Sequence, residues 1–205
     1  IRPRDWSSDV CSSDLSSATG SSPLHNVVTI GHLEVRPGTH VAIVGPSGSG
    51  KSTLLRALMG WGTSLHHPVS IDGIPPISIS EAWMKRHMAW VPSDITYRIG
   101  TASDLYYLGR EECDEYESWQ GLHLPEASTP GSHLSDGQLR RIALARALAR
   151  HPAILLLDEP TATLDDEGRR AILAALNNFP GTLIVATHDT ELAALCSVVV
   201  DLSES

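Results

Sequence analysis

The segment GPSGSGKST, residues 45–53, has the residue types and the spacing that hold phosphate groups. Its pattern G-x-x-x-x-G-K-S stands between an apolar run and a helical pattern, so backbone N–H groups can converge on an anion there. The Lys51 ammonium is suited to contact β- and γ-phosphates, and the Ser52 hydroxyl is suited to ligate Mg²⁺. We therefore predict a nucleotide site formed by Gly45, Pro46, Ser47, Gly48, Ser49, Gly50, Lys51, Ser52 and Thr53.

A second candidate group is the pair of acids that ends the aliphatic run ILLLDEP, residues 154–160. The run predicts a buried strand, and its carboxyl end is the edge at which ligands of open α/β sheets bind. Two carboxylates that close an apolar strand are costly without a nearby cation. We therefore predict that Asp158 joins the Mg²⁺ shell and that Glu159 polarises an attacking water.

Aliphatic runs that alternate with longer helical patterns predict the elements that position these residues. Several runs are apolar throughout, as expected for strands covered on both faces of a parallel sheet. Residues 24–40 contain a Pro-Gly turn and predict antiparallel edge strands, whereas residues 94–133 interrupt the alternation with a small, mostly helical insertion. The predicted strands cover 41–45, 88–92, 153–159, 182–188 and 197–202, and the predicted helices cover 51–60, 135–150 and 166–178.

The predicted fold class is therefore α/β. It is a P-loop NTPase with a mostly parallel central sheet, an antiparallel edge subdomain and a short helical subdomain over about residues 94–150. With 205 residues, 41% of them apolar, the chain has room for one sizeable core or one core plus a small subdomain.

Charge and cysteine content exclude some functions. A formal charge of -9 argues against broad binding to nucleic-acid backbones or anionic membranes. No apolar run approaches about 18 residues, so any membrane link is expected through a partner. Cys113 and Cys196 share no metal-like spacing, and the adjacent His66 and His67 are typical of a solvated loop, so we assign no metal to them.

The segment LSDGQLRRIALARAL, residues 134–148, decides the class of nucleotide-binding protein. Together with LLLDEP, TATLDD at 161–166 and ATHD at 186–189, it resembles the motifs of ATP-binding cassette (ABC) ATPases, in that family's order, from about residue 27 onward. The resemblance implies a head-to-tail dimer with two ATP molecules between the subunits, each held by the glycine-rich loop of one and a helix tip of the other. The tip residues are Ser135, Gly137 and Gln138, and Ser135 and Gln138 have the spacing of a capping box.

The same resemblance implies roles for two further residues. His188 is expected to be the switch histidine that contacts the γ-phosphate and supports Glu159. Asp165 is expected to be the acid that links the two sites across the dimer.

The function implied by the resemblance is ATP-driven transport. The implied cofactors are ATP and Mg²⁺, and the implied partners are a second cassette, identical or different, and a transmembrane domain at the cytoplasmic face of a cell membrane, expected to be a bacterial inner membrane. The amino-acid sequence is most similar to cassettes fused to their membrane domain, including bacterial exporters of thiol compounds. No nucleic-acid partner is expected. Two alternatives stay open, a soluble ABC ATPase that acts on nucleic acid or ribosomes and a weakly hydrolysing regulatory cassette.

Three positions depart from the family pattern. Ser93 follows the strand MAWVP where the family has a glutamine, and a serine is too short to span the same gap. Asp136 stands where glycine is usual, and its charge is expected to weaken or tune the contact with a bound phosphate. Only His25 and Asn26 lie where the family has an adenine-stacking aromatic. We expect reduced rather than absent hydrolysis.

The first residues have the composition of a leader rather than of a fold. DWSSDVCSSDL, residues 5–15, has no helical or strand period and is compatible with a translated sequencing-library adapter. We therefore expect residues 1–15 to be adapter-derived and residues 16–205 to be a nucleotide-binding domain truncated at its N-terminus.

Overall fold

The computed structural model of the chain describes residues 25–62, 68–96, 98–108 and 121–203. The expected leader, His66, His67 and Cys113 lie outside these residues, and so does part of the expected helical insertion. The predicted division of the chain at residue 16 stays a prediction.

Strands within the described residues form two sheets. A three-stranded antiparallel sheet has the order β2-β1-β4, and a five-stranded parallel sheet has the order β5-β6-β7-β3-β8. The strands are β1 (Val28–Ile30), β2 (Leu33–Val35), β3 (His40–Val44), β4 (Val69–Ile71), β5 (Met88–Val91), β6 (Ile154–Asp158), β7 (Thr182–Ala186) and β8 (Val198–Asp201). The α/β fold class, the parallel centre and the antiparallel edge are thus confirmed.

The helices lie between these strands. They are α1 (Lys51–Leu58), α2 (Glu81–His87), α3 (Ala102–Tyr107), α4 (Asp136–Leu148), α5 (Asp166–Asn177) and α6 (Thr190–Ala194), with 3₁₀ turns at Pro76–Ser78 and Gly131–His133. The five central strands and three long helices agree with the predicted ranges to within about two residues at each end. The prediction omitted β4, α2 and α6, which are three to seven residues long and too short to show a clear period.

The central strands β6 and β7 are buried at every position. Their side chains alternate between two apolar clusters, because successive strand residues point to opposite faces of the sheet. Leu155 and Leu157 pack with α3, α4 and α5, whereas Ile154 and Leu156 pack with α1 and the antiparallel sheet. This two-sided burial explains why the runs are apolar throughout. No helix in the described ranges is both long and apolar enough to cross a bilayer.

Two segments before α4 are joined backbone to backbone. Gly131 N donates to Gly100 O at 2.7 Å, Ala102 N to Thr129 O at 2.8 Å, and Ser103 N to Ala127 O at 3.0 Å. This ladder fixes the segment that leads from β5 into α3 against the segment that leads into α4. The start of α4 is therefore held by the chain that follows β5.

We predict that Gly131→Ala destabilises the fold. An added Cβ would lie 2.8 Å from the backbone carbon and oxygen of Arg98, which no side-chain rotation can relieve. Overpacking of this kind costs about 1–3 kcal/mol, measurable as a lower midpoint of chemical denaturation. Gly121→Ala is the matched control, since a Cβ there meets no atom within 4 Å. Equal midpoints for the two variants would contradict the predicted close contact.

Candidate active site

Three neighbouring strands deliver the predicted site residues to one edge of the sheet. Asp158 of β6 and Ile43 of β3 both pair in register with Ala186 of β7. The glycine-rich loop follows β3, Glu159 follows β6, and the loop with His188 follows β7. Because parallel strands end at a common edge, residues more than 100 positions apart in sequence meet here.

The glycine-rich loop has the conformation that its sequence predicts. Gly45, Gly48 and Gly50 have φ angles of 143°, 85° and 95°, a region that side chains with a Cβ rarely adopt. Gly50 is the N-cap of α1, and no side chain caps that helix. The first N–H groups of α1 therefore remain for an anionic ligand, where the helix dipole also favours negative charge.

Lys51 is a buried cation, with 7% of its surface exposed. Its ammonium donates to Gly45 O at 2.8 Å and to Pro46 O at 3.1 Å, so it is bonded to the first two carbonyl groups of the glycine-rich loop. The Nζ atom also lies 3.1 Å from His188 Nε2, which must accept in that contact because an ammonium has no lone pair. The glycine-rich loop and the predicted switch residue are thus in direct contact.

The acidic pair at the end of β6 faces the same point. Asp158 is 3% exposed, and its Oδ2 accepts from Ser93 Oγ at 3.3 Å. The two carboxylate oxygens of Glu159 lie 3.4 Å from His188 Nε2 and 3.2 Å from His188 N. The Ser93 hydroxyl is thus bonded to Asp158, while the adjacent Glu159 is bonded to the backbone of His188.

An ion pair anchors the loop that carries His188. Arg169 of α5 donates two hydrogen bonds of 2.7 Å to Asp189, which caps α6 through the N–H groups of Glu191 and Leu192. The bonds from Arg169, followed by those from Leu192, Thr161 and Glu191, hold the pKa of Asp189 far below its ordinary value, against the opposing effect of burial. The carboxylate therefore stays ionised and keeps the switch loop fixed on α5.

The predicted helix tip forms as a complete capping box. Ser135 Oγ accepts from Gln138 N at 3.2 Å, and Gln138 Oε1 accepts from Ser135 N at 2.9 Å. Among the described residues, Ser135, Gly137 and Gln138 make no hydrogen bond with the glycine-rich loop of the same chain. The structure thus brings together Lys51, Asp158, Glu159 and His188 but leaves the helix tip apart from them.

Asp136 and Asp165 both have local partners. The Asp136 carboxylate pairs with the guanidinium of Arg98, which also donates to Leu134 O. Asp165 Oδ1 accepts from Gly168 N at 2.9 Å and caps α5. The predicted effect of Asp136 on a bound phosphate is therefore opposed by a neighbouring cation.

Three arginines were missed by the sequence analysis, namely Arg98, Arg140 and Arg169. Arg140 carries a usable signal, since Ala143 and Leu144 lie one turn further along α4 and both are buried. An arginine on such an apolar stripe predicts a buried cation with a specific partner. Arg98 and Arg169 carry no such signal, because their partners are distant in sequence.

His25 and Asn26, at the position where the family has an adenine-stacking aromatic, lie within the described residues. Asn26 N and Val27 N donate to the carboxylate of Asp72 at 3.0 and 3.1 Å, and His25 is exposed. These contacts tie the entry to β1 onto the turn after β4.

Known proteins are similar to this chain over most of its length. The profile of a family described as ABC transporter matches residues 29–162. CydD, the glutathione/L-cysteine transport system ATP-binding/permease protein of Escherichia coli, is 34% identical over 171 residues, 75% of this chain and 29% of that protein. The ABC multidrug transporter MDR2 of Trichophyton rubrum is 36% identical over 163 residues, 71% of this chain and 12% of that protein. The chain thus spans less than a third of either relative.

Solved structures are similar in fold. A bacterial Atm1-family ABC exporter with ATP bound has a TM-score of 0.71 and 28% identity, covering 87% of this chain and 37% of that one. The dimeric post-hydrolysis state of the ATP-binding cassette MJ0796, bound to ADP and Pi, has a TM-score of 0.70 and 27% identity, covering 88% and 94%.

We predict that Arg169→Ala lowers the thermal midpoint at pH 7, because the depressed pKa of Asp189 stabilises the fold only while that group is ionised. The folded-state pKa lies below the unfolded value of 3.8, so this contribution is complete above that value and is lost as the pH falls below it. The difference from wild type in thermal unfolding should therefore be constant well above pH 3.8 and shrink as the pH falls below that value.

Arg170→Ala is the control, since Arg170 is exposed and, among the described residues, donates to the backbone Asp166 O of its own helix. A loss for Arg169→Ala that is the same at every pH would contradict the assigned ion pair.

Proposed function

The chain belongs to the ABC transporter family as an ATPase domain, and on that premise we propose that ATP-driven dimerisation of this domain powers passage of a substrate across a membrane. The observation that carries the proposal is the convergence of Lys51, Glu159 and His188 at one edge of the sheet. This places a phosphate-binding cation beside a carboxylate that can activate water.

The residues around the glycine-rich loop are assigned to nucleotide binding. Residues 45–53 hold the phosphates through backbone N–H groups, and Lys51 supplies positive charge to them. The three glycine φ angles and the uncapped start of α1 support this assignment.

Ser52 and Asp158 are assigned to Mg²⁺. A buried carboxylate at the end of an apolar strand and a hydroxyl at the start of α1 fit an ion that takes few protein ligands and keeps several waters. The ion, when bound, would neutralise charge on the phosphate groups. Ser93 would act on this ion only through its hydrogen bond to Asp158.

Glu159 is assigned as the group that polarises the attacking water, and His188 as the residue that contacts the γ-phosphate. Glu159 Oε2 accepts from His188 N at 3.2 Å, which holds the carboxylate in place, while Oε1 lies 3.4 Å from His188 Nε2 and has no hydrogen-bond donor among the described residues. The Arg169–Asp189 pair in turn fixes the loop of His188.

The partner is a second cassette, and its α4 tip completes each site. Within one chain, Ser135, Gly137 and Gln138 stand apart from the glycine-rich loop, which supports a role for them in the site of another chain. The capping box uses the N–H groups of Ser135 and Gln138, so those of Asp136 and Gly137 are the ones assigned to a phosphate. Asp165, at the start of α5, is assigned to the contact between the two sites.

A transmembrane domain is the second proposed partner, at the cytoplasmic face of a membrane. A groove of about 400 Å³ is lined in part by Trp61 and Ile77, which are 58% and 66% exposed, and by Trp90. It adjoins the end of α1 opposite the glycine-rich loop, so it is separate from the nucleotide site. We assign this groove, whose lining also includes Glu81, Lys85 and Arg150, to a helix of the transmembrane partner.

A weakly hydrolysing regulatory cassette is the second candidate function, and Ser93 favours it. Its hydroxyl contacts Asp158 but extends no further toward a bound nucleotide. Reduced turnover with intact nucleotide binding is the behaviour that this candidate requires.

We predict that Glu159→Gln retains ATP and accumulates as a dimer, while turnover falls about 100-fold or more because the base is lost. Size-exclusion chromatography in ATP and magnesium, with a phosphate-release assay, checks both results. Glu167→Gln, an exposed carboxylate in the first turn of α5, is the control and should keep wild-type turnover. Wild-type turnover in Glu159→Gln would remove Glu159 from its assigned role.

We predict that Ser93→Gln raises turnover several-fold. The longer amide would span the gap toward the bound metal ion and nucleotide that the serine hydroxyl is too short to span. Ser93→Ala removes the bond to Asp158 without adding reach, and it should not raise turnover. Steady-state ATPase rates of the three proteins check the prediction. Equal rates for wild type and Ser93→Gln would show that serine is harmless at this position.

A further inference from the structure

Arg140 is a buried guanidinium that joins three segments of the chain. It lies on α4 and is 8% exposed. Its Nη1 donates to Glu159 O at 2.8 Å and to Ala162 O at 2.6 Å, and its Nη2 donates to Ser93 O at 2.8 Å. The helix that begins at the Ser135 tip is thereby bonded to the backbone that leaves the acidic pair and to the loop that follows β5.

A buried cation in this position has a desolvation cost, which suggests a role beyond packing. Burial lowers the pKa of Arg140, while the charges of Asp136, Glu159 and Asp158 oppose that effect. Within the described residues, its hydrogen bonds go to uncharged carbonyl groups rather than to a carboxylate. An apolar side chain would fill the space without this desolvation cost, so packing alone does not account for the residue.

The backbone conformation of Glu159 is one that neighbouring contacts must stabilise. Its φ is 49°, a left-handed conformation that is unfavourable for a residue with a Cβ and persists only when surrounding contacts impose it. Its N–H donates to Ala186 O at 2.9 Å, and its C=O accepts from Arg140. Sheet and guanidinium therefore fix the peptide groups on either side of the residue, and with them the direction of its carboxylate.

We propose that Arg140 is a positioning residue for hydrolysis, which aims the Glu159 carboxylate and couples it to the α4 tip and to the Ser93 loop. The proposal rests on the proposed function, in which Glu159 activates water and the tip contacts the nucleotide of the second cassette. A displacement of α4 on dimer formation would then reach Glu159 through the hydrogen bond from Arg140 Nη1 to Glu159 O.

The geometry requires arginine rather than a positive charge alone. The three carbonyl groups accept from two nitrogen atoms held in one plane, which a single ammonium on a flexible chain cannot reproduce. Arg140→Lys keeps the charge and removes the fork, whereas Arg140→Gln keeps a short planar donor and removes the charge. Both variants should leave the glycine-rich loop unchanged.

The test compares steady-state ATPase kinetics and fluorescent ATP-analogue binding for wild type, Arg140→Lys and Arg140→Gln. We expect kcat to fall about 10- to 100-fold, the effect of misplacing a catalytic group by about 1 Å, with KM and nucleotide affinity within about threefold of wild type. Arg146→Lys is the control on the same helix, where Nη1 donates to Leu105 O at 3.2 Å, and its kcat should be unchanged.

A double variant separates positioning from an independent effect. If Arg140 acts through Glu159, Arg140→Lys should not lower the residual rate of Glu159→Gln any further. A multiplied loss in the double variant, an unchanged kcat in the single variants, or loss of nucleotide binding in both would overturn the proposal. A wild-type kcat for Arg140→Lys beside an inactive Glu159→Gln would refute the role of Arg140 alone. An inactive wild-type chain would refute the proposed function, and this inference with it.

Discussion

The buried ammonium of Lys51 is the interaction on which the rest of the site depends. A cation with so little exposed surface must be hydrogen-bonded, and its partners are two carbonyl groups of the loop after β3 and a ring nitrogen from the loop after β7. Those partners are within reach only if β3 and β7 are neighbours and end at the same level. The common register of Ile43, Asp158 and Ala186 meets that condition. A slip of one residue in any of these strands would reverse the faces of its side chains and disperse the group.

Much of this arrangement could be predicted from sequence because the signals are local. The loop at residues 45–53, the capping box at Ser135 and the fully apolar strands β6 and β7 each depend on residues close together in the chain. Arg98, Arg140 and Arg169 could not be assigned partners in that way. Arg98 and Arg140 donate to carbonyl groups, which every residue carries, and the partner of Arg169 lies 20 positions along the chain, so only the packed structure selects them. The short elements β4, α2 and α6 were missed because they have too few residues for a period.

Two of the departures from the family pattern, Ser93 and Asp136, each have a hydrogen-bonding or ionic partner in the structure. The short side chain of Ser93 still bonds Asp158, and its carbonyl group is held by Arg140. The extra charge of Asp136 is paired with Arg98, which belongs to the segment that follows β5. The same stretch of chain therefore contacts both the acidic pair and the α4 tip. This coincidence explains how a chain without the usual glutamine retains a physical connection between those two parts.

The two fully buried strands also divide the molecule by local stability. Amide groups in β6 and β7 are shielded on both faces, so their exchange with solvent hydrogen requires opening of the whole domain. The capping-box bonds and the Arg98–Asp136 pair at the α4 tip, by contrast, are exposed to solvent and open at much smaller cost. On warming, the contacts of the α4 tip, which we propose for the site of a second cassette, would be lost before the sheet edge that carries Asp158. Association in the proposed dimer would thus fail at temperatures where each chain is still folded.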